Sequence, residues 1–303
     1  MFDILFLGTG ASVPSRDRSL PCIAVRQGRS VTLFDCGEGS QRQLMISPFS
    51  FMKVDRIFIT HLHGDHILGL PGLLQTMGMS GRKKEVRVYG PVGIAKALRS
   101  MLDACEGELE YELEITELEG GETIDFDSFS VTSFATVHNT PSIGFLYREH
   151  DRPGTFNKEK AERLGLEPGE DFSRLQMGET VKGIDPGQII GPTRPGCSMV
   201  YTGDTVPCET IDRASENVDI LIHESTYVED DSALAKEHFH STAKAAAETA
   251  LRCGVGMLAL VHVSNRYGDT ELPLAEAKGI FENTVAPSDL QLFTVTSSGV
   301  RPA

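Results

Sequence analysis

The densest group of chemically active side chains in this 303-residue chain is one hexapeptide. It reads His61-Leu62-His63-Gly64-Asp65-His66. Three imidazoles and a carboxylate so close together are hard to explain by packing, because each would need its own buried partner. Imidazole and carboxylate are instead ligands that a borderline cation such as zinc accepts. The spacing therefore favours a metal site over a loop of solvent-exposed histidines.

The residues before the hexapeptide indicate where such a site would lie. Residues 54–60 form a short apolar, β-branched stretch, which is typical of a buried strand. The hexapeptide would then begin at the carboxyl end of that strand, where layered α/β proteins usually place ligands. Gly64 would let the chain turn sharply, so that Asp65 and His66 return toward the two histidines before them.

Three further candidate ligands, His138, Asp204 and His262, lie at or near the ends of other predicted strands. Taken singly, such a histidine is more often structural, and such an aspartate could belong to a turn. Together with the hexapeptide they make seven candidate ligands, enough for two zinc ions that share one carboxylate. The seven are His61, His63, Asp65, His66, His138, Asp204 and His262.

A pair of zinc ions would give the site a specific chemistry. Two ions about 3.5–4 Å apart can lower the pKa of a shared water and clamp the attacking and leaving oxygens of a phosphoryl centre. The constellation therefore predicts hydrolysis by a metal-activated hydroxide. No Ser-His-Asp or Cys-His arrangement stands out in the sequence as a competing site.

Composition limits the class of protein and its partners. A chain of 33.0 kDa can bury one large core or two small ones, and nothing resembling a linker divides it, so residues 1–303 are expected to form one domain. Six scattered cysteines suit reduced thiols in the cytoplasm. The longest apolar run, residues 257–263, is too short to cross a bilayer. The net charge of −15 argues against a nucleic-acid partner unless basic groups are concentrated locally.

Strands followed by helices in both halves of the chain predict two sheets face to face with helices outside. Predicted elements include a helix over residues 40–46 capped by Ser40, a strand over 109–115 and a helix over 274–284. Residues 151–196 differ, because Pro-Gly turns punctuate them and only residues 158–164 have a helical pattern. Such a stretch is more often a functional protrusion or lid than a connection, and a disordered insert is the alternative.

Several motifs resemble the ribonuclease Z family of the metallo-β-lactamase superfamily. The superfamily has a His-x-His-x-Asp-His signature with later His, Asp and His ligands, which alone would leave lactamases, thioesterases and phosphodiesterases open. The further motifs favour the narrower family, and the resemblance covers nearly the whole chain. The motifs are residues 7–14, 33–39, 59–66, 69–74, 201–205 and 262–267.

The resemblance implies an α/β fold, a four-layered αββα sandwich with a flexible protruding arm at about residues 151–196 that grips the tRNA elbow. It also implies a homodimer. The implied enzyme is a zinc-dependent endoribonuclease that cuts precursor tRNA after the discriminator base. It would release the 3′ trailer and leave a 3′-hydroxyl.

The resemblance also assigns roles to single residues. It implies two zinc ions, one on His61, His63 and His138, the other on Asp65, His66 and His262, with Asp204 bridging them. Asp65 would in addition accept the proton of the attacking water. Glu224 and His240 match positions that assist at the scissile phosphate and leaving group, and the alternative for both is orientation of the zinc ligands.

The chain differs from the family pattern in two places. The arm carries seven basic and seven acidic residues between Arg152 and Arg194, so it is not conspicuously cationic. The loop of residues 14–19 has Arg16 and Ser19 where the family has lysine and asparagine, and that loop helps to reject substrates that already end in CCA. Arg16, Arg18 and the run of residues 82–84 could supply a basic patch.

Two other functions fit the same residues. One is a zinc phosphodiesterase or other small-molecule hydrolase on the same scaffold. The other is a catalytically silent RNA-binding protein that keeps zinc for stability.

Overall fold

The computed structural model describes residues 1–106 and 108–303 and divides the chain into two compact units. We call the larger unit, residues 1–148 with 197–303, the body, and the smaller unit, residues 149–196, the insert. Within the described residues, no helix has the length and apolar character needed to cross a bilayer.

The body contains an eight-stranded and a seven-stranded mixed sheet. The first is built from β1 Phe2–Gly8, β2 Cys22–Gln27, β3 Ser30–Phe34, β4 Val54–Phe58, β5 Val86–Pro91, β6 Leu113–Leu118, β14 Gln291–Thr296 and β15 Gly299–Pro302. The second is built from β7 Thr123–Asp125, β8 Phe129–Ala135, β9 Ile143–Glu149, β10 Ser198–Tyr201, β11 Ile220–Glu224, β12 Leu258–Val261 and β13 Thr284–Val285. Their strand orders are β15-β14-β1-β2-β3-β4-β5-β6 and β13-β12-β11-β10-β9-β8-β7.

Alternation along the strands divides apolar side chains between two cores. In β1, Phe2, Ile4 and Phe6 belong to the cluster that also contains buried residues of the second sheet. Leu5 and Leu7 belong instead to the cluster that contains helical residues. Successive side chains of a strand point to opposite faces, so one strand supplies both cores.

Helices cover the outer face of each sheet. Buried apolar side chains of α1, α3 and α4 pack with the first sheet, and those of α8, α10 and α11 pack with the second. The predicted four-layered αββα sandwich is therefore confirmed. The helices of the body are α1 Ser40–Ile46, α2 Gly64–Ile67, α3 Gly69–Met79, α4 Ile94–Ala104, α8 Glu209–Ser215, α9 Ser232–Glu237, α10 Ala243–Cys253 and α11 Glu271–Lys278.

Parallel pairing places the candidate site residues at strand ends. Strands β3 to β6 are parallel to one another, and so are β10 to β13. Asp35 follows β3 directly, and the hexapeptide begins three residues after β4. In the second sheet, Asp204 follows β10, Glu224 ends β11 and His262 follows β12. Carboxyl ends of neighbouring parallel strands meet at one sheet edge, which brings these side chains together.

Two predicted elements of the first half differ in detail. The strand predicted over residues 109–115 begins only at Leu113, because Tyr111 is buried and donates its hydroxyl to the carbonyl oxygen of Leu74 on α3 at 2.8 Å. Ser40 is not the cap of α1. Gly39 holds that position with φ of 87°, and the Ser40 hydroxyl donates to the Gly37 carbonyl.

The helix predicted over residues 274–284 is also displaced. It spans Glu271–Lys278, so Pro273 lies in its first turn. Proline is tolerated there because the first backbone N–H groups of a helix have no intrahelical acceptor. The prediction that this helix begins at residue 274, after the proline, is therefore wrong.

The insert is more regular than the sequence predicted. Three short helices, α5 Lys158–Arg163, α6 Glu170–Gln176 and α7 Pro186–Ile189, surround a small apolar cluster of their own. Only α5 was predicted, because helices of four to seven residues between Pro-Gly turns are too short for a clear apolar period. The buried members of the cluster are Ala161, Leu166, Leu175, Val181, Ile184 and Ile189.

Phe145 tests the core between the sheets. It is fully buried on β9, and its ring centroid lies 5.2 Å from that of Phe58 and 5.8 Å from that of Phe34. We expect Phe145→Ala to lower the free energy of unfolding by about 3–5 kcal/mol, measured by denaturant titration. The control Leu251→Ala removes an exposed side chain of α10 and should change it by less than about 0.5 kcal/mol. Equal losses in the two variants would contradict this packing.

Candidate metal centre

The hexapeptide presents its side chains from the start of a helix. His63, with extended backbone, precedes α2, and the helix places Asp65 and His66 in its first turn. Gly64 is the first helical residue and does not have positive φ, so the sharp glycine turn predicted there is wrong. The close approach is made by Gly37, where a Cβ would lie 2.2 Å from the carbonyl oxygen of Asp65.

The first ligand group consists of His61, His63, His138 and Asp204, whose ligand atoms all lie within 4.8 Å of one another. Nδ1 of His63 faces Nε2 of His61 at 3.1 Å and Nε2 of His138 at 3.3 Å. Asp204 Oδ2 lies 3.7 Å from Nε2 of His61. Three imidazole nitrogens and one carboxylate oxygen thus converge.

The second group consists of Asp65, His66, Asp204 and His262 and meets the same limit of 4.8 Å. Nε2 of His66 and Nε2 of His262 each lie 3.4 Å from Asp204 Oδ2. Their distances to Asp65 Oδ2 are 3.6 and 3.4 Å. Asp204 belongs to both groups, and all seven predicted ligands are brought together.

Outer hydrogen bonds fix which ring nitrogen two of the histidines present. Nδ1 of His66 donates to Asp35 Oδ2 at 2.7 Å. The Thr60 hydroxyl donates its hydrogen to Asp35, so it accepts from Nδ1 of His61 at 3.0 Å. Both rings are left with Nε2 directed into the group, the arrangement by which metal-binding histidines are usually oriented.

The histidines of the second sheet are held in the same way. Nδ1 of His138 donates to the carbonyl oxygen of Phe239 at 2.9 Å. Nδ1 of His262 donates to the Thr226 hydroxyl at 2.8 Å, and that hydroxyl donates onward to Glu224. Their Nε2 atoms therefore face the two groups.

Asp35 is the residue that sequence reasoning missed. It is fully buried, and its two oxygens accept from Thr60, from the Tyr201 hydroxyl at 2.8 Å and from His66. An acidic residue directly after an apolar strand was the available signal, since burying a carboxylate requires partners. The motif of residues 33–39 contained it without assigning it a role.

Glu224 and His240 form a buried pair beside the two groups. Glu224 Oε1 accepts from Nδ1 of His240 at 2.8 Å and from the backbone N–H of Thr205 and Ser241. Glu224 is 1% exposed, whereas His240 lines the cavity above the ligands. Although burial opposes it, the Glu224 charge raises the pKa of His240 to about 9. His240 therefore faces the cavity, while Glu224 lies behind it and accepts from its Nδ1.

The ligand groups have strongly perturbed ionisation. Burial, reinforced by the neighbouring His66, lowers the pKa of His61 well below its ordinary value. Burial also disfavours charge on His66, but Asp204 and Asp35 raise its pKa well above the ordinary value. The pKa of Asp204 is held well below its usual range by His262 and His66, against the effect of burial.

The site fits a bound cation. Nε2 of His66 and Oδ1 of Asp204 are buried and make no hydrogen bond of regular geometry with any described residue. Such unsatisfied atoms cost about 1–3 kcal/mol each, and a bound cation would satisfy them. Five imidazoles and two carboxylates are an N/O donor set suited to zinc and similar divalent ions.

Backbone strain is concentrated at the site. Eight described residues other than glycine have positive φ, and four of them hold or supply ligands. His262 is itself a candidate ligand, while the Ser12 N–H donates to Asp65 Oδ2 at 3.0 Å. Asp35 and Phe239 orient His66 and His138 as described above. Such conformations persist only where the surroundings enforce them.

Two members of the predicted basic patch, Arg82 and Arg18, are engaged in hydrogen bonds within the body, whereas Arg16 and Lys84 are exposed. The guanidinium of Arg82 is buried and donates to the carbonyl oxygens of Met52, Lys84 and Glu85. That of Arg18 donates to the Thr9 hydroxyl and to backbone and side-chain oxygens nearby. These arginines join segments of the body, a role that spacing along the chain does not reveal.

Comparison with known proteins places this geometry in a family. Residues 31–157 match the family model described as beta-lactamase superfamily domain. Ribonuclease Z of Archaeoglobus fulgidus is 44% identical over 98% of both chains, and that of Methanosarcina acetivorans is 41% identical over 96% of this chain and 97% of its own. The crystal structure of human tRNase Z, short form, superimposes with a TM-score of 0.71 at 27% identity, covering 97% of this chain and 99% of that one. The chain belongs to the ribonuclease Z family of the metallo-β-lactamase superfamily.

Proposed function

We propose that this protein is a metal-dependent endoribonuclease that removes the 3′ trailer from precursor tRNA. It cuts after the discriminator base and leaves a 3′-hydroxyl. The observation that carries the proposal is the pair of ligand groups sharing Asp204, set in a chain that matches ribonuclease Z along its whole length. We further propose that it works in the cytoplasm as a homodimer.

The proposed cofactor is two Zn²⁺ ions per chain. His61, His63 and His138 would hold one, and Asp65, His66 and His262 the other, with Asp204 shared between them. Bound zinc would supply Lewis acidity and lower the pKa of a coordinated water to near 7.

The chain's own groups then handle the protons. As a ligand of the proposed cations, the Asp65 carboxylate would stay ionised, because nearby positive charge favours its charged form. With its carboxylate fixed by the Ser12 N–H, it accepts the proton of the attacking water. The water oxygen bonds to phosphorus while the bond from phosphorus to the 3′-oxygen of the discriminator nucleotide breaks. His240 donates a proton to that oxygen, and the trailer keeps the phosphate.

We assign tRNA binding outside the reaction centre to the insert, the flexible arm of the sequence analysis. Several of its charges pair internally, such as Lys182 with Asp171 at 2.7 Å and Arg174 with Glu179 at 2.7 Å. Lys158 and Lys160, on exposed positions of α5, make no ion pair with any described residue. These two lysines are the cations best placed to meet phosphate.

Metal affinity tests the ligand assignment. Asp35→Asn places an amide NH₂ against the donors of His66, Thr60 and Tyr201, so the His66 ring loses its orientation. We expect metal affinity about 10–100-fold lower, measured by competition with a chromogenic chelator. The control Asp3→Asn alters a partly exposed ion pair with Arg26 and should leave affinity unchanged. Unchanged affinity in Asp35→Asn would count against the proposed ligand set.

Cleavage of a 3′-extended tRNA tests the activity. We expect a single cut after the discriminator base, a 3′-hydroxyl on the tRNA and loss of cleavage with chelator. Asp65→Ala should lower the rate by about 100-fold or more, because it removes a ligand and the proton acceptor. The control Asp127→Ala changes an exposed carboxylate. Wild-type rates from folded Asp65→Ala would overturn the mechanism.

Removal of the insert separates this function from small-molecule hydrolysis. The N–H of Gly196 donates to Asp151 Oδ1 at 3.0 Å, so the ends of the insert are adjacent and two glycines can replace residues 152–194. We expect this variant to lose tRNA cleavage yet hydrolyse bis(p-nitrophenyl) phosphate. Equal effects on the two substrates would favour the small-molecule alternative.

A further inference from the structure

One aromatic side chain is exposed beside the metal centre. The chain has 15 Phe, 6 Tyr and no Trp, and among these Phe and Tyr residues, all of them described, only Phe239 is classed as exposed. Phe239 is 41% exposed to solvent. A single exposed Phe needs no explanation by itself, but its position and conformation do.

Phe239 is held in a strained conformation next to a ligand. Its φ is 59°, in the left-handed region that bulky residues rarely adopt, and it follows α9 at the connection to His240. Its carbonyl oxygen accepts from Nδ1 of His138. The backbone is thereby fixed relative to the site, and the ring is left at the surface. Strain of this kind is found preferentially at functional positions.

The Phe239 ring borders an apolar groove of about 390 Å³. Val137, Val206, Pro207 and Ala235 contribute its apolar wall, and Val137 is itself 44% exposed. His240 lines both this groove and the cavity above the ligand groups, so the groove and that cavity are neighbours. We call it the Phe239 groove.

Two charged side chains also line the groove, Glu229, which pairs with Lys244 at 3.3 Å, and Lys236. Lys236, exposed on α9, lines it and makes no ion pair with any described residue. An apolar wall, an aromatic face and a free ammonium group in one concavity match a nucleotide, which carries a flat base and a phosphate. A second copy of this chain would fit less well, because a stable interface needs a larger apolar area than this groove provides.

We propose that the Phe239 groove binds the base of a nucleotide that flanks the scissile phosphate, with the base stacked on the Phe239 ring. This inference rests on the proposed function, which supplies a single-stranded 3′ end as substrate. Unpaired bases are commonly bound by aromatic stacking, and stacking tolerates any base because every base has a π-face. Phe239 would thus position the substrate without selecting its sequence.

Variants of Phe239 test the stacking through kcat/KM on precursor tRNA. A stacked base is worth about 1–3 kcal/mol, so Phe239→Ala should lower kcat/KM about 5- to 150-fold. Phe239→Trp should restore it, whereas Phe239→Leu, which is apolar but not aromatic, should not. Metal content is measured in each variant, because a change there would mean that the loss arises from His138.

Abasic substrates identify the base. One precursor lacks the base of the discriminator nucleotide, and another lacks that of the first trailer nucleotide. On the precursor that lacks the stacked base, the difference between wild type and Phe239→Ala should disappear. An equal deficit of Phe239→Ala on both abasic precursors and the intact one would overturn the inference. A Phe239→Ala variant with wild-type kcat/KM but an altered oligomeric state would also overturn it, since the groove would then bind a second copy of the chain.

A binding measurement separates this inference from the proposed function. A short single-stranded RNA carrying 2-aminopurine is mixed with the protein in chelator, so that no cleavage occurs. We expect the fluorescence to be quenched by wild type and by Phe239→Trp but not by Phe239→Ala. Quenching without any cleavage in metal would refute the endonuclease and leave the stacking site standing. Cleavage in metal, together with quenching that does not depend on Phe239, would support the endonuclease and refute the stacking site.

Discussion

The carboxylate of Asp204 is the interaction on which the site depends. It lies between two clusters of imidazoles and within 3.4–3.7 Å of three of their Nε2 atoms, although it is almost completely buried. A buried charge at that position requires compensation. Either an imidazole is protonated beside it or a cation binds there, and the unsatisfied Oδ1 favours the cation. Layers, strand directions and outer hydrogen bonds together bring six side chains to this one carboxylate.

The residues that orient the candidate ligands are placed as specifically as the ligands themselves. Asp35 orients His66 directly and His61 through Thr60, and Glu224, through Thr226, orients His262 of the second sheet. Each support is itself satisfied by backbone N–H groups or hydroxyls, which keeps the imidazole tautomers fixed. A carboxylate behind each side of the site is the usual way of making imidazole a stronger ligand.

Local spacing made much of this predictable. The hexapeptide has an unmistakable ligand pattern, and strand periodicity placed His138, Asp204 and His262 at strand ends. The four layers followed from the order of strands and helices. What failed depended on contacts distant along the chain. No local sequence pattern shows that Asp35 accepts from a tyrosine 166 positions away, or that the Arg82 guanidinium donates to three carbonyl oxygens. The short helices of the insert were missed because their apolar residues form a core only jointly.

The ligands come from loops of both sheets, the hexapeptide from the first and His138, Asp204 and His262 from the second. An ion bound there ties the two halves of the sandwich together at one edge. Binding to the native chain alone shifts the folding equilibrium by mass action, by about 2.7 kcal/mol when free ion is at 100 times its Kd. The amount of native protein in a cell would then follow the supply of free metal, so scarcity of the ion would reduce abundance as well as turnover.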